Sequence, residues 1–128
     1  MTTRMSRNTL FVIAVLNLLT AFVIFFAPQT FYDLTPGLDL MGPFSIHFIR
    51  DVALAFLASA GAMAWGAWHR ERNVAISGAA WPFLHALFHI QIWGMRGFPF
   101  DFIFFFDVGA VIVPAFVAGY AAWVLVEE

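Results

Sequence analysis

Four long stretches of the chain are dominated by apolar residues, and clusters of Pro, Gly or charge separate them. They run from about Thr9 to Ala27, Phe44 to Trp68, Val74 to Met95 and Phe102 to Val126. A helix needs roughly 20 apolar residues to cross a bilayer, so each run predicts a transmembrane helix. Pro28, Pro36, Gly37, Gly42 and Pro43 break the chain between the first two runs. "HRERN" forms the second break and "RGFP" the third. The expected fold is all-α: one integral membrane four-helix bundle spanning residues 1–128.

Within these runs, small residues recur at helical spacing, the pattern of close helix contact in membranes. On the second run His47 and Asp51 share a face that continues through Ala55, Ala58, Ala62 and Gly66. On the fourth, Asp107 continues through Ala110, Pro114, Ala118 and Ala122; on the first, Ala14, Asn17 and Ala21 form a shorter seam. The polar residues therefore lie on the stripes expected to pack inward, which leaves the many Phe for lipid. Pro82, inside the third run, removes the helix donor for the carbonyl of Gly78 and favours a kink.

Composition agrees with a membrane class. The 128 residues are 62% hydrophobic and 11% charged, with mean hydropathy +0.86. A net charge of −2 and the lack of Lys offer no basic patch for nucleic acid. The absence of Cys excludes disulfide exchange, thiolate catalysis and Cys-ligated metal centres. The N-terminal run is too long for a typical signal peptide, and Phe25 stands where a small residue should precede a cleavage site at Ala27. A retained first helix is expected. Arg4, Arg7, Arg70 and Arg72 mark one side, so the positive-inside rule puts both termini in the cytoplasm. Glu127 and Glu128 read as a solvated tail, and His69 as a surface residue.

Counting rises from the helix ends places Asp51, His89 and Asp107 at one level in the outer half, with His85 a turn deeper. His85 and His89 are four apart, a spacing that can chelate a metal. His47 and Asp51, also four apart, would supply one nitrogen and one oxygen. Set against this are plainer roles: histidines donating to backbone or a neighbouring acid, a capped helix start, and an Arg50–Asp107 ion pair fixing register.

"HFIRDVALAFLASAGAMAWG" at the second helix, with the four-helix layout, resembles the DoxX-like group of small bacterial membrane proteins. That resemblance implies a bacterial inner-membrane protein and a link to quinones or respiratory oxidoreductases. It transfers no catalytic residue. Sterol-isomerase-like membrane bundles use the same residue types, although none of their motifs is present.

Three functions follow as expectations. In the first, His47, His85 and His89 bind a transition metal (copper, zinc or iron), with Asp51 and Asp107 as ligands or their supports. Haem is a lesser variant, with His47 and one of the third-helix pair as its ligands, since His85 and His89 share a face and cannot take opposite sides of one ring. In the second, the site is a metal-free acid/base enzyme acting on a lipid or quinone, with His47, Asp51 and Asp107 as catalytic candidates. In the third, the chain is a structural accessory subunit in a homo-oligomer or larger membrane complex.

Overall fold

The computed structural model describes residues 1–126; Glu127 and Glu128 lie outside the described residues. Among the described residues the chain is all-helical, with no strand. Helix α1 spans Thr3–Phe26, capped at its start by the Thr2 hydroxyl, which accepts from the Met5 amide. Pro28 ends the run and opens a short helix, α2 (Pro28–Leu34). A 3-10 turn over Leu38–Met41 follows. The expected break therefore has structure of its own, closed by the Tyr32 hydroxyl donating to the Gly42 carbonyl at 2.6 Å.

Helix α3 (Ile46–His69) turns sharply into α4 (Arg72–Met95). Arg70 takes the left-handed conformation there, and the Glu71 amide closes back on the Gly66 carbonyl. The last run divides into α5 (Phe102–Asp107), a π-helical turn over Val108–Ile112 and α6 (Val113–Trp123). Asp101 starts it by accepting from the Phe104 amide.

Contacts fix the directions. Near one end, Ser6 of α1 donates to the Ala121 carbonyl of α6, and Arg7 donates to the Ala67 carbonyl of α3 at 3.0 Å. At that same end Arg72 lies over the Trp123 ring. At the other end Arg50 of α3 reaches the Phe25 carbonyl of α1, and the loop at Gly37 approaches Ile103. Neighbouring long helices are thus antiparallel: α1 packs on α3, α3 on α4, α4 on α6 and α6 on α1.

The core between them is built from small side chains. Ala14, Ala67, Ala75, Ala79, Ala118, Ala121 and Ala122 surround Leu10, Ile13 and Met63. Small residues let backbones approach closely, which in lipid supplies packing that the hydrophobic effect cannot. A β-carbon at Gly66 would stand 2.5 Å from the Ala75 nitrogen, and one at Gly78 would stand 2.5 Å from the Met63 nitrogen. Both positions therefore require glycine for the α3–α4 approach. Large apolar side chains such as Phe26, Phe48, Phe102 and Phe105 point away from the core.

Among the described residues, three helices are long and apolar enough to cross a membrane: Thr3–Phe26, Ile46–His69 and Phe102–Trp123. Helix α4 has the length but falls outside that set. His85, His89, Gln91, Asn73 and Ser77 dilute it.

The expected seams shift in two places. The buried face of α3 is Ala53, Ser59, Ala60, Met63, Gly66 and Ala67. Of the anticipated stripe through Ala55, Ala58, Ala62 and Gly66, only Gly66 belongs to that face; the other three lie one residue away, a rotation of about 100°, and Ala58 is exposed. On the last run Ala110 is exposed rather than in the seam, and no residue of the π-turn is buried. The buried line runs from Asp107 to Ala115, Ala118 and Ala122. Eight residues of plain α-helix between Asp107 and Ala115 would leave them about 80° apart. One extra residue in the π-turn takes back about 100°, which leaves them about 20° apart and on one face. Pro114 gives the turn its reason, since it has no N–H for the Ala110 carbonyl and its ring would crowd that carbonyl.

Candidate functional site

The helix rotations described above split the expected polar cluster into two groups. His47 and Asp51 pair with each other at 3.3 Å on the open side of α3, their side chains 79% and 55% exposed. They do not meet the third-helix histidines. Arg50 differs from expectation too: its Nε donates to the Phe25 carbonyl at 3.3 Å and its guanidinium lies over the Phe25 ring. The expected Arg50–Asp107 ion pair is replaced by a different partner for each residue.

The partner of Asp107 is His89. The imidazole Nδ1 stands 3.0 Å from the carboxylate Oδ2, with side chains 22% and 9% exposed. That distance is hydrogen-bond length, yet Nδ1 makes no hydrogen bond of acceptable direction. The two side chains are thus at contact distance without a directed hydrogen bond.

His85 continues the line. Its ring meets His89 edge-on at 4.7 Å between centroids, stacks on Trp81 at 5.4 Å and meets Phe56 edge-on at 5.8 Å. Trp81, His85 and His89 thus form one ridge along α4 at four-residue spacing. A cavity of about 30 Å³ lies beside His85, lined by Asn17, Phe56, Pro82, Val111 and Pro114 among others. Pro82 and the π-turn proline, Pro114, both border it.

A second polar group emerges that sequence reasoning only half anticipated. Ser59 of α3 donates to the Gly78 carbonyl at 2.7 Å, and Asn17 of α1 donates to the Ser59 hydroxyl at 3.2 Å. Pro82 leaves the Gly78 carbonyl without its helical donor, and Ser59 supplies one from the facing helix. The freed carbonyl was visible in the spacing of Gly78 and Pro82. The donor's identity depended on the rotation of α3, which the sequence stripe misplaced.

Beyond Asp107, at the α4–α5 loop, Trp93 Nε1 donates to the Pro99 carbonyl at 2.9 Å. Arg96 pairs with Asp101. That guanidinium, followed by the Phe104 amide, holds the Asp101 carboxyl below the usual carboxylate range. These contacts fix where α5 begins and hence the height of Asp107.

Among the described residues no three His, Asp or Glu side chains gather to hold a metal ion. The expected ligand set of His47, Asp51, His85, His89 and Asp107 is divided by the rotation of α3. The chemistry available to the buried group is proton exchange between a carboxylate and an imidazole, with a second imidazole behind. No family model, curated protein or solved structure matches the chain.

Proposed function

We propose that this protein is a four-helix integral membrane bundle with both termini cytoplasmic, in a bacterial inner membrane. Its Asp107–His89 pair, backed by His85, acts as a metal-free acid/base site on an apolar ligand of the lipid or quinone class. The observation that carries this reading is the 3.0 Å contact between His89 Nδ1 and a nearly buried Asp107. Ionisable groups at such depth are expensive, and pairing offsets the cost while keeping one mobile proton between them.

In this reading Asp107 and His89 share a proton, held either as carboxylate and imidazolium or as acid and neutral imidazole. The partly exposed edge of His89 gives a ligand's carbonyl or hydroxyl a place to receive or lose that proton. His85 meets the His89 ring edge-on and limits its rotation. The exposed His47–Asp51 pair, a catalytic candidate from sequence, takes no part. The quinone class comes from the DoxX-like resemblance; the apolar surroundings suit a lipid equally.

The test is infrared difference spectroscopy on purified protein in mild detergent, stepping pH and adding a short-chain quinone, with elemental analysis of the same sample. A carboxyl band that responds to the quinone, is lost in Asp107→Asn and is shifted in His89→Gln supports the site. Stoichiometric metal, lost in His85→Ala or His89→Ala, would restore the metal reading. Variants that only lower stability, with no responsive carboxyl band, would make the pair structural.

A further inference from the structure

A second cavity lies away from the histidines, between the ends of α1 and α3. It holds about 240 Å³ and is lined entirely by apolar residues: Ala21, Phe22, Phe25, Phe26, Ala53, Leu54 and Leu57. Phe22, Phe26, Leu54 and Leu57 are also exposed on the outer surface, so the cavity is a groove on the side of the helices. Its floor is two alanines, Ala21 and Ala53, both buried. Its walls are the larger side chains on either side.

Arg50 stands at one end of this groove. It lies three and four residues before Ala53 and Leu54, one helical turn further toward the end of α3. The guanidinium sits 5.2 Å from the centroid of the Phe25 ring, and that ring is part of the groove wall. Only Nε is used on the Phe25 carbonyl. Among the described residues no carboxylate pairs with Arg50, although Asp51 is next in sequence. Asp51 projects about 100° around the helix and faces His47.

An apolar trough ending in an exposed guanidinium has the polarity of one molecule class: an acyl chain ending in an anionic headgroup. We propose that this groove binds one anionic phospholipid, its acyl chain along Ala21, Phe25, Ala53 and Leu57 and its phosphate on the terminal nitrogens of Arg50. Charge complementarity selects this occupant. A second copy of the chain would bring the same apolar walls and the same Arg50, leaving the guanidinium facing its like. Guanidinium and phosphate match in geometry, and two parallel hydrogen bonds to phosphate oxygens are open to it. Phe25 holds the cation in place by ring contact while its own edge meets the acyl chain.

The site is tested by native mass spectrometry of the full chain released from detergent with phosphatidylglycerol or with phosphatidylcholine of identical acyl chains. One retained phosphatidylglycerol per chain is expected, with phosphatidylcholine retained about fivefold less, the factor for one basic group at a membrane surface. Arg50→Gln should remove that preference. Arg4→Gln, at the far end of the molecule, should leave it unchanged. Leu57→Trp, which fills the groove from an exposed wall position, should reduce retention of both lipids. Equal retention of the two lipids, or an equal loss in Arg4→Gln, would overturn the proposal. So would a lipid-free dimer that Leu57→Trp dissociates, since a second copy would then be the occupant.

Discussion

The α3–α4 approach at Gly78 makes the most direct quantitative prediction. A methyl group added there in Gly78→Ala would lie 2.5 Å from the Met63 nitrogen and 2.9 Å from the Ala62 carbonyl carbon, both backbone atoms that cannot swing aside. Ordinary contact needs about 3.4 Å, so the helices must part by about 0.9 Å. That movement stretches the 2.7 Å bond from Ser59 to the Gly78 carbonyl to about 3.6 Å, past hydrogen-bond range. Overpacking costs about 1–3 kcal/mol, and an interhelical hydrogen bond in a membrane averages about 0.6 kcal/mol. Replacing helical Gly by Ala returns up to about 1 kcal/mol. The net expectation is a loss of about 1–3 kcal/mol. Gly61→Ala is the internal control, because nothing lies within 4 Å of its added methyl; it should be neutral or stabilising by up to about 1 kcal/mol. Equilibrium unfolding by dodecyl sulfate in mixed micelles reads both. Equal stabilities for the two variants would refute the close approach and the register of α3 against α4 with it.

Ser59→Ala should cost about 1–3 kcal/mol by orphaning the Gly78 carbonyl and the Asn17 amide; in a Pro82→Ala background, where residue 82 regains an N–H, the same change should cost less in the same unfolding assay. Pro114→Ala removes the reason for the π-turn, so Asp107 should rotate about 100° from His89; the His89-dependent shift of its infrared carboxyl band should vanish while overall helicity is kept. At the loop between α4 and α5, Asp101 has its carboxyl pKa depressed first by the Arg96 hydrogen bond and then by the Phe104 amide, with partial desolvation opposing. A depressed folded value means that its contribution is complete above about pH 4 and fades as pH falls through the folded value. A nuclear magnetic resonance titration should find the Asp101 carboxyl moved upward in Arg96→Gln, and no movement would remove Arg96 as the cause.

Much of the helical layout could be read from the sequence, because long apolar runs and Pro/Gly breaks report local chemistry. The runs beginning near Thr9, Phe44, Val74 and Phe102 correspond to helices that start at Thr3, Ile46, Arg72 and Phe102. Helix rotation was less legible. On α3, both the Ala55–Ala58–Ala62 stripe and the Ala60–Met63–Ala67 stripe read as small or apolar, so composition could not choose between faces one residue apart. That single step moves His47 and Asp51 from the interior to the surface and breaks up the five-residue cluster. On the last run, the π-turn changes the helical period itself, and no fixed spacing of 100° per residue can follow Asp107 to Ala115. The His85–His89 ridge needed only one helix to be right, and it was. The contact of His89 with Asp107 was among the anticipated partners, but Arg50 competed with it until the rotation of α3 took Arg50 to Phe25.

The bond from Ser59 to Gly78 also bears on how the protein is made. Helix α4 is the least apolar of the long helices, and Pro82 leaves it with a carbonyl that its own backbone cannot satisfy. In the membrane bundle proposed above, α4 released alone from the translocon would carry that open carbonyl and two histidines into hydrocarbon. Ser59 is translated earlier, on the preceding helix, and only the short turn through Arg70 and Glu71 separates the two segments. The hydroxyl is therefore waiting when Gly78 emerges, so α3 and α4 should leave the translocon as one hairpin, with α4 partitioning into lipid only in the company of its neighbour.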